Sequence, residues 1–113
     1  MRLADEYIPV VEERKVKEYL LNPDHPDGAP KARFFRALGY GAGDWRSLAE
    51  NLKQHAREND AAYPVESPFG KKYIVVGPLR SSGNNLTESP VVSVWIAERG
   101  SLEARLVTAY PVR

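Results

Sequence analysis

Asn22, Asp24, His25, Asp27 and Lys31 fall within ten residues of one another, in the stretch Leu20-Leu21-Asn22-Pro23-Asp24-His25-Pro26-Asp27-Gly28-Ala29-Pro30-Lys31-Ala32-Arg33-Phe34-Phe35. An imidazole titrates near neutrality and can carry protons, and flanking carboxylates can orient it. Pro23, Pro26, Gly28 and Pro30 restrict the backbone, so these side chains are presented from a stiff loop. A connection between two helices needs only two to about eight residues and no such restraint. The stretch therefore reads as one wall of a site. An equally weighted reading is that Asp24-His25-Pro26-Asp27 makes a hydrogen-bonded turn. A metal site from Asp24, His25 and Asp27 is a third, since no other ligand spacing accompanies them.

Further candidates lie outside this loop. Lys31 and Arg33 open a helix, a poor place for cations unless an anion binds the helix amides beside them; the alternative, favoured for Arg33, is plain solvation. Lys71 and Lys72 stand at a strand start, where lysines also protect an edge. His55 sits at the margin of a helical apolar stripe and reads as a partly packed surface histidine. On the last strand Thr108 and Tyr110 share a face about 7 Å apart, within reach of one phosphate and its neighbour. Arg105 falls on the other face unless a bulge intervenes. Thr and Tyr are also simply good strand formers.

Composition narrows the chemistry. The 113 residues contain no cysteine, which removes disulfides, thiolate metal sites and thiol nucleophiles. Sixteen basic residues against fifteen acidic ones give a formal charge of +1, so attraction of a polyanion would need local clustering. P-loop, dinucleotide, GxSxG and HExxH patterns are absent from the sequence. No apolar run of membrane-spanning length or signal-peptide form occurs, and the expected setting is the cytoplasm.

The elements that must position these residues follow from periodicity. Tyr7 to Val11 reads as an extended lead-in or edge strand because it contains Pro9. Glu12 and Glu13 open a helix with Val16, Tyr19 and Leu20 as its buried stripe, ending before Pro23. Pro30 starts a second helix to Leu38. Asp44 caps a third running to about Arg57, with Trp45, Leu48, Ala49, Leu52 and Ala56 on one face. From Tyr63 the period becomes two. Strands are expected over Tyr63 to Ser67, Lys71 to Pro78, Val91 to Glu98 and Glu103 to Tyr110, with a polar loop over Arg80 to Pro90 tipped by Gly83-Asn84. On the third of these, Val92, Val94 and Ile96 are the better core candidates. The prediction is one α+β domain over residues 1–113: about three N-terminal helices packed on a C-terminal four-stranded antiparallel β-meander.

Several motifs carry a resemblance: Tyr19-Leu20-Leu21-Asn22-Pro23-Asp24-His25-Pro26, Gly28, Pro30-Lys31-Ala32-Arg33-Phe34-Phe35-Arg36-Ala37-Leu38-Gly39-Tyr40, Gly70-Lys71-Lys72-Tyr73, Gly77-Pro78-Leu79, Val94-Trp95-Ile96 and Arg105-Leu106-Val107-Thr108-Ala109-Tyr110-Pro111. Together they resemble an uncharacterised bacterial domain family found alone and at the C-termini of polymorphic-toxin and phage-head proteins. More distantly, helices followed by a meander ending Thr-Ala-Tyr-Pro resemble the barnase, EndoU, colicin D and RelE-like ribonuclease toxins. That resemblance implies a toxin-type endoribonuclease using neither metal nor cofactor, in which the ribose 2′-hydroxyl attacks the adjacent phosphate. It implies His25 as general base or acid, Lys31 as phosphate stabiliser, Thr108 as phosphate hydrogen-bonder, and Tyr110 as second proton donor or base-stacking surface. Asn22, Arg33, Lys72 and Arg105 would be substrate contacts. The implied partners are RNA and a cognate antitoxin or immunity protein, and no membrane. The competing reading is a non-enzymatic protein-binding or adaptor module, which exposure of Trp95 and Tyr40 would favour.

Overall fold

Leu48, Ala49, Leu52, His55 and Ala56 recur at helical spacing and are buried along one face of α3 (Trp45–Glu58), the longest helix. The computed structural model describes residues 2–41, 43–62, 64–81 and 88–112, so Tyr63 and the Gly83-Asn84 tip lie outside the described residues. Before α3 come β1 (Ile8–Val10), α1 (Glu13–Lys15 continued by Val16–Leu20) and α2 (Ala29–Ala37). After it come β2 (Val65–Ser67), β3 (Gly70–Arg80), β4 (Glu88–Ala97) and β5 (Glu103–Pro111). Gly39, at φ 98°, ends α2: its N–H donates to the Arg36 carbonyl and that of Tyr40 to the Phe35 carbonyl, satisfying two terminal carbonyls.

The first helix departs from expectation. It makes one α-helical turn over Glu13–Lys15 and then a π-helical turn over Val16–Leu20, together called α1 here. The Leu21 N–H donates to the Val16 carbonyl at 2.8 Å, five residues back.

The sheet has five strands in the order β1-β5-β4-β3-β2. Neighbours from β2 to β5 are antiparallel, whereas β1 pairs parallel to β5, with Ile8 opposite Glu103 and Val10 opposite Arg105. The expected four-stranded meander is thus part of a mixed five-stranded sheet. The segment containing Pro9 takes an edge, where a missing N–H is tolerated.

Two details set the faces. First, the core side of β4 is Val91, Ser93, Trp95 and Ala97, not Val92, Val94 and Ile96, although Val94 is itself buried on the opposite face. Ser93 can face inward because its Oγ accepts from Trp95 Nε1 at 2.8 Å and donates to His55 Nδ1 at 3.0 Å. His55 Nε2 lies 3.0 Å from the Gly77 carbonyl and 3.1 Å from that of Val91; carbonyls only accept, so Nε2 carries the hydrogen. His55 is 2% exposed and ties α3 to β3 and β4, so it is a core residue rather than a surface one. Second, Val94 pairs with Thr108 and Trp95 with Leu106, making Val107 the additional residue of a β-bulge. The bulge reverses the alternation of β5: Ala104, Leu106 and Ala109 are buried, and Arg105, Thr108 and Tyr110 share the outer face.

Burial is the largest influence on His55 and holds its pKa below the ordinary histidine value, against the opposing effect of the two carbonyls. The unfolded chain therefore binds a proton that the folded chain refuses. Stability should be level above about pH 6.5 and fall as the pH drops below it. Melting temperature against pH measures this, and His55→Gln should flatten the acid slope. His55→Ala, which strands the Ser93 hydroxyl and two carbonyls, should cost about 2–4 kcal/mol.

Candidate active site

Tyr19 occupies the wide turn of α1, and its hydroxyl lies 3.2 Å from Thr108 Oγ1, across 89 residues of chain. Three more groups surround the ring. The His25 imidazole meets it edge-on with centroids 5.0 Å apart, and the ammonium groups of Lys31 and Lys15 lie 5.2 and 5.4 Å from its centroid. The loop after α1 delivers His25 and Lys31 by closing on itself. Asn22 Nδ2 donates to the Glu18 carbonyl, its Oδ1 accepts from the Asp24 N–H, and the Ala29 N–H donates to the His25 carbonyl. Gly28 completes the closure. A Cβ there would stand 2.4 Å from the Tyr19 carbonyl oxygen, so only glycine lets the loop lie against the π turn.

The protonation geometry of His25 is defined by its surroundings. Its Nδ1 accepts from the backbone N–H groups of both Asp27 and Gly28, each at 3.0 Å. Nε2 then carries the hydrogen, and the ring offers a donor but no free lone pair. Tyr19 is the complementary group. Burial raises its pKa, yet the Lys31 ammonium and the Thr108 hydroxyl at its oxygen, with the charges of Lys31 and Lys15, outweigh burial and bring it below the ordinary phenol value.

Tyr19, His25 and Lys15 line an open groove of about 340 Å³ with Glu12, Arg14 and Glu18. A larger hollow of about 720 Å³ lies at the sheet end between Tyr7, Lys71 and Arg99. Its serine hydroxyls are taken by backbone, Ser67 Oγ donating to the Gly70 carbonyl and Ser101 Oγ to that of Glu103. The smaller groove, with a phenol, an imidazole, a lysine and two carboxylates together, has the better chemistry. Among the described residues no three histidine, aspartate or glutamate side chains are grouped to hold a metal ion, Asp24, His25 and Asp27 included.

The structure gathers His25, Lys31 and Thr108 around Tyr19. Tyr110 stands two residues beyond Thr108 on the same outer face, 38% exposed. Arg105 joins that face and pairs with Glu98 and, at 3.7 Å, with Glu12 of the groove. Lys72 is exposed on β3, in line with Ile96 and Arg105. Arg33 is exposed on α2, and both ends of the Asn22 amide are used within the loop. Trp95 and Tyr40 are fully buried and present no adaptor surface. Sequence reasoning missed Tyr19 and Lys15. Tyr19 was absorbed into a helical apolar stripe, and its one available signal was a phenol oxygen that a buried tyrosine must satisfy.

The described residues define an α+β domain with three helices on a five-stranded mixed sheet and a groove of mixed charge beside Tyr19. A family model described as a domain of unknown function, DUF6883, matches residues 2–113, and the chain belongs to that family. No curated protein and no solved structure matches it.

The Tyr19 environment can be read directly. In a titration followed by tyrosine ring carbon resonances, Tyr19 should ionise below the ordinary phenol value. Lys31→Met should move its midpoint upward, because the largest lowering influence is removed while the burial remains. An unchanged midpoint would mean that Lys31 does not act on the phenol.

Proposed function

We propose that the domain is a toxin-type endoribonuclease that cleaves RNA without a metal, by attack of a ribose 2′-hydroxyl on the adjacent phosphate. The observation carrying this reading is the hydroxyl of Tyr19 held against Thr108, with the ammonium groups of Lys15 and Lys31 and the imidazole of His25 gathered around the same ring. In-line transesterification needs a base at the 2′-oxygen, positive charge at the phosphate and an acid at the 5′-oxygen, and these side chains can supply each.

Tyr19, as phenolate, takes the proton of the 2′-hydroxyl. The O2′–P bond forms, the P–O5′ bond breaks, and the leaving 5′-oxygen takes a proton from the Lys31 ammonium. The products are a 2′,3′-cyclic phosphate and a 5′-hydroxyl. A proton passed from the Tyr19 hydroxyl to the neutral Lys31 amine beside it restores both groups for the next turnover. Lys15 offsets charge on the phosphate, Thr108 fixes the phenol, and His25 donates a hydrogen bond from Nε2 to a phosphate oxygen. Proton transfer thus rests on Tyr19 and Lys31, with His25 as a positioning donor. Tyr110, Arg105 and Lys72 lie along the outer face as substrate contacts.

The test is degradation of total RNA in EDTA. Wild type should leave fragments ending in cyclic phosphate. Tyr19→Phe should lower the rate by about 100-fold or more, and His25→Ala by roughly 10-fold, with circular dichroism unchanged. The rate should rise with pH as Tyr19 ionises. Intact RNA with folded wild-type protein would overturn the proposal.

A further inference from the structure

Beyond the reacting groups, the outer face of the sheet carries three cross-strand rows. Lys72, Ile96 and Arg105 form the first, Ile74, Val94 and Thr108 the second, and Val76, Val92 and Tyr110 the third. The apolar exposure of this face is concentrated in the third row, where Val76 is 53% exposed and Tyr110 38%, whereas Val94 in the middle row is buried. The rows differ in character, with cations in one outer row and a tyrosine in register with β-branched residues in the other. Thr108, which meets Tyr19, stands between them.

We infer that this outer face is a base-stacking platform for single-stranded nucleic acid, with Tyr110 as the ring on which a base neighbouring the Tyr19 groove lies. The inference rests on the ribonuclease reading for its choice of ligand, and the geometry selects the strand state. Tyr110 is about 7 Å from Thr108 along the strand, the scale of one nucleotide, so a phosphate at Tyr19 and Thr108 brings the next base over Tyr110. The surface beneath is apolar, with Val76 and Val92 and few groups to read base edges; every base has a face to stack, so the platform is sequence-tolerant. Lys72, at the other side of the Thr108 row, suits the backbone of the same strand, and Arg105 beside it would have to exchange its pairing with Glu98 and Glu12 for a phosphate. A duplex hides its base faces and presents phosphates outward, which would set charge against the apolar row.

The same geometry separates two roles for Tyr110. A stacking platform needs the ring and not the hydroxyl, whereas a proton donor needs the hydroxyl. The probe is a short, fully 2′-deoxy oligonucleotide, which lacks the attacking hydroxyl and cannot be cleaved, measured by fluorescence anisotropy as a single strand and as its blunt duplex. Wild type should bind the single strand roughly tenfold or more tighter than the duplex; Tyr110→Phe should bind as wild type, and Tyr110→Ala roughly tenfold more weakly. Equal affinity for strand and duplex, no binding of either, or an unchanged affinity in Tyr110→Ala would overturn the platform. Cleavage of RNA by a protein whose Tyr110→Ala variant binds normally would leave the nuclease reading standing and remove this one. Selective single-strand binding by a protein that leaves RNA intact would do the reverse.

Discussion

One hydrogen bond, between the phenol of Tyr19 and the hydroxyl of Thr108, ties α1 to the last strand beside the groove. Everything around it is arranged to permit that meeting. The π turn widens α1 at Tyr19, and Gly28 lets the proline-bounded loop press against the Tyr19 carbonyl. The bulge at Val107 puts Thr108 on the outer face of β5 rather than in the core. In ideal form, neither the helix nor the strand would bring these two oxygens together.

The two faces of the sheet divide the work. The inner face is closed by α3, and its polar atoms are matched: His55 holds Ser93 and two backbone carbonyls, and Ser93 holds Trp95. Such a saturated network fixes the relative placement of helix and strands, because a shift of either would strand several buried groups at once. The outer face has less cover and carries the side chains suited to a ligand. Rigidity on one side is what allows a defined geometry on the other.

Much of the architecture was legible in the chain. Proline and glycine positions mark the ends of α1 and α2, the stripe Leu48, Ala49, Leu52 and Ala56 marks α3, and alternation from Tyr63 onward marks the strands. What was not legible depends on partners distant in sequence. A β-bulge leaves no signature in Arg105-Leu106-Val107-Thr108, so the faces of β5 could not be assigned. On β4, the apolar set Val92, Val94 and Ile96 reads as the inward one because hydrophobicity alone cannot anticipate that Ser93 is satisfied by a histidine 38 residues earlier. Parallel pairing of β1 with β5 is likewise set by where the helices return the chain. In the candidate site, the loop advertised His25 and Lys31 by type and spacing, while Tyr19 stayed hidden because an aromatic at helical spacing reads as core.

The central claim is that Tyr19 and Thr108 interact directly across the chain, and a double-mutant cycle in stability tests it most directly. Tyr19→Phe, Thr108→Val and the double variant should give a coupling of about 0.5–1.5 kcal/mol, because each single change breaks the same hydrogen bond. Strictly additive losses would show that the two hydroxyls do not meet in solution, and the groove built on them would not stand.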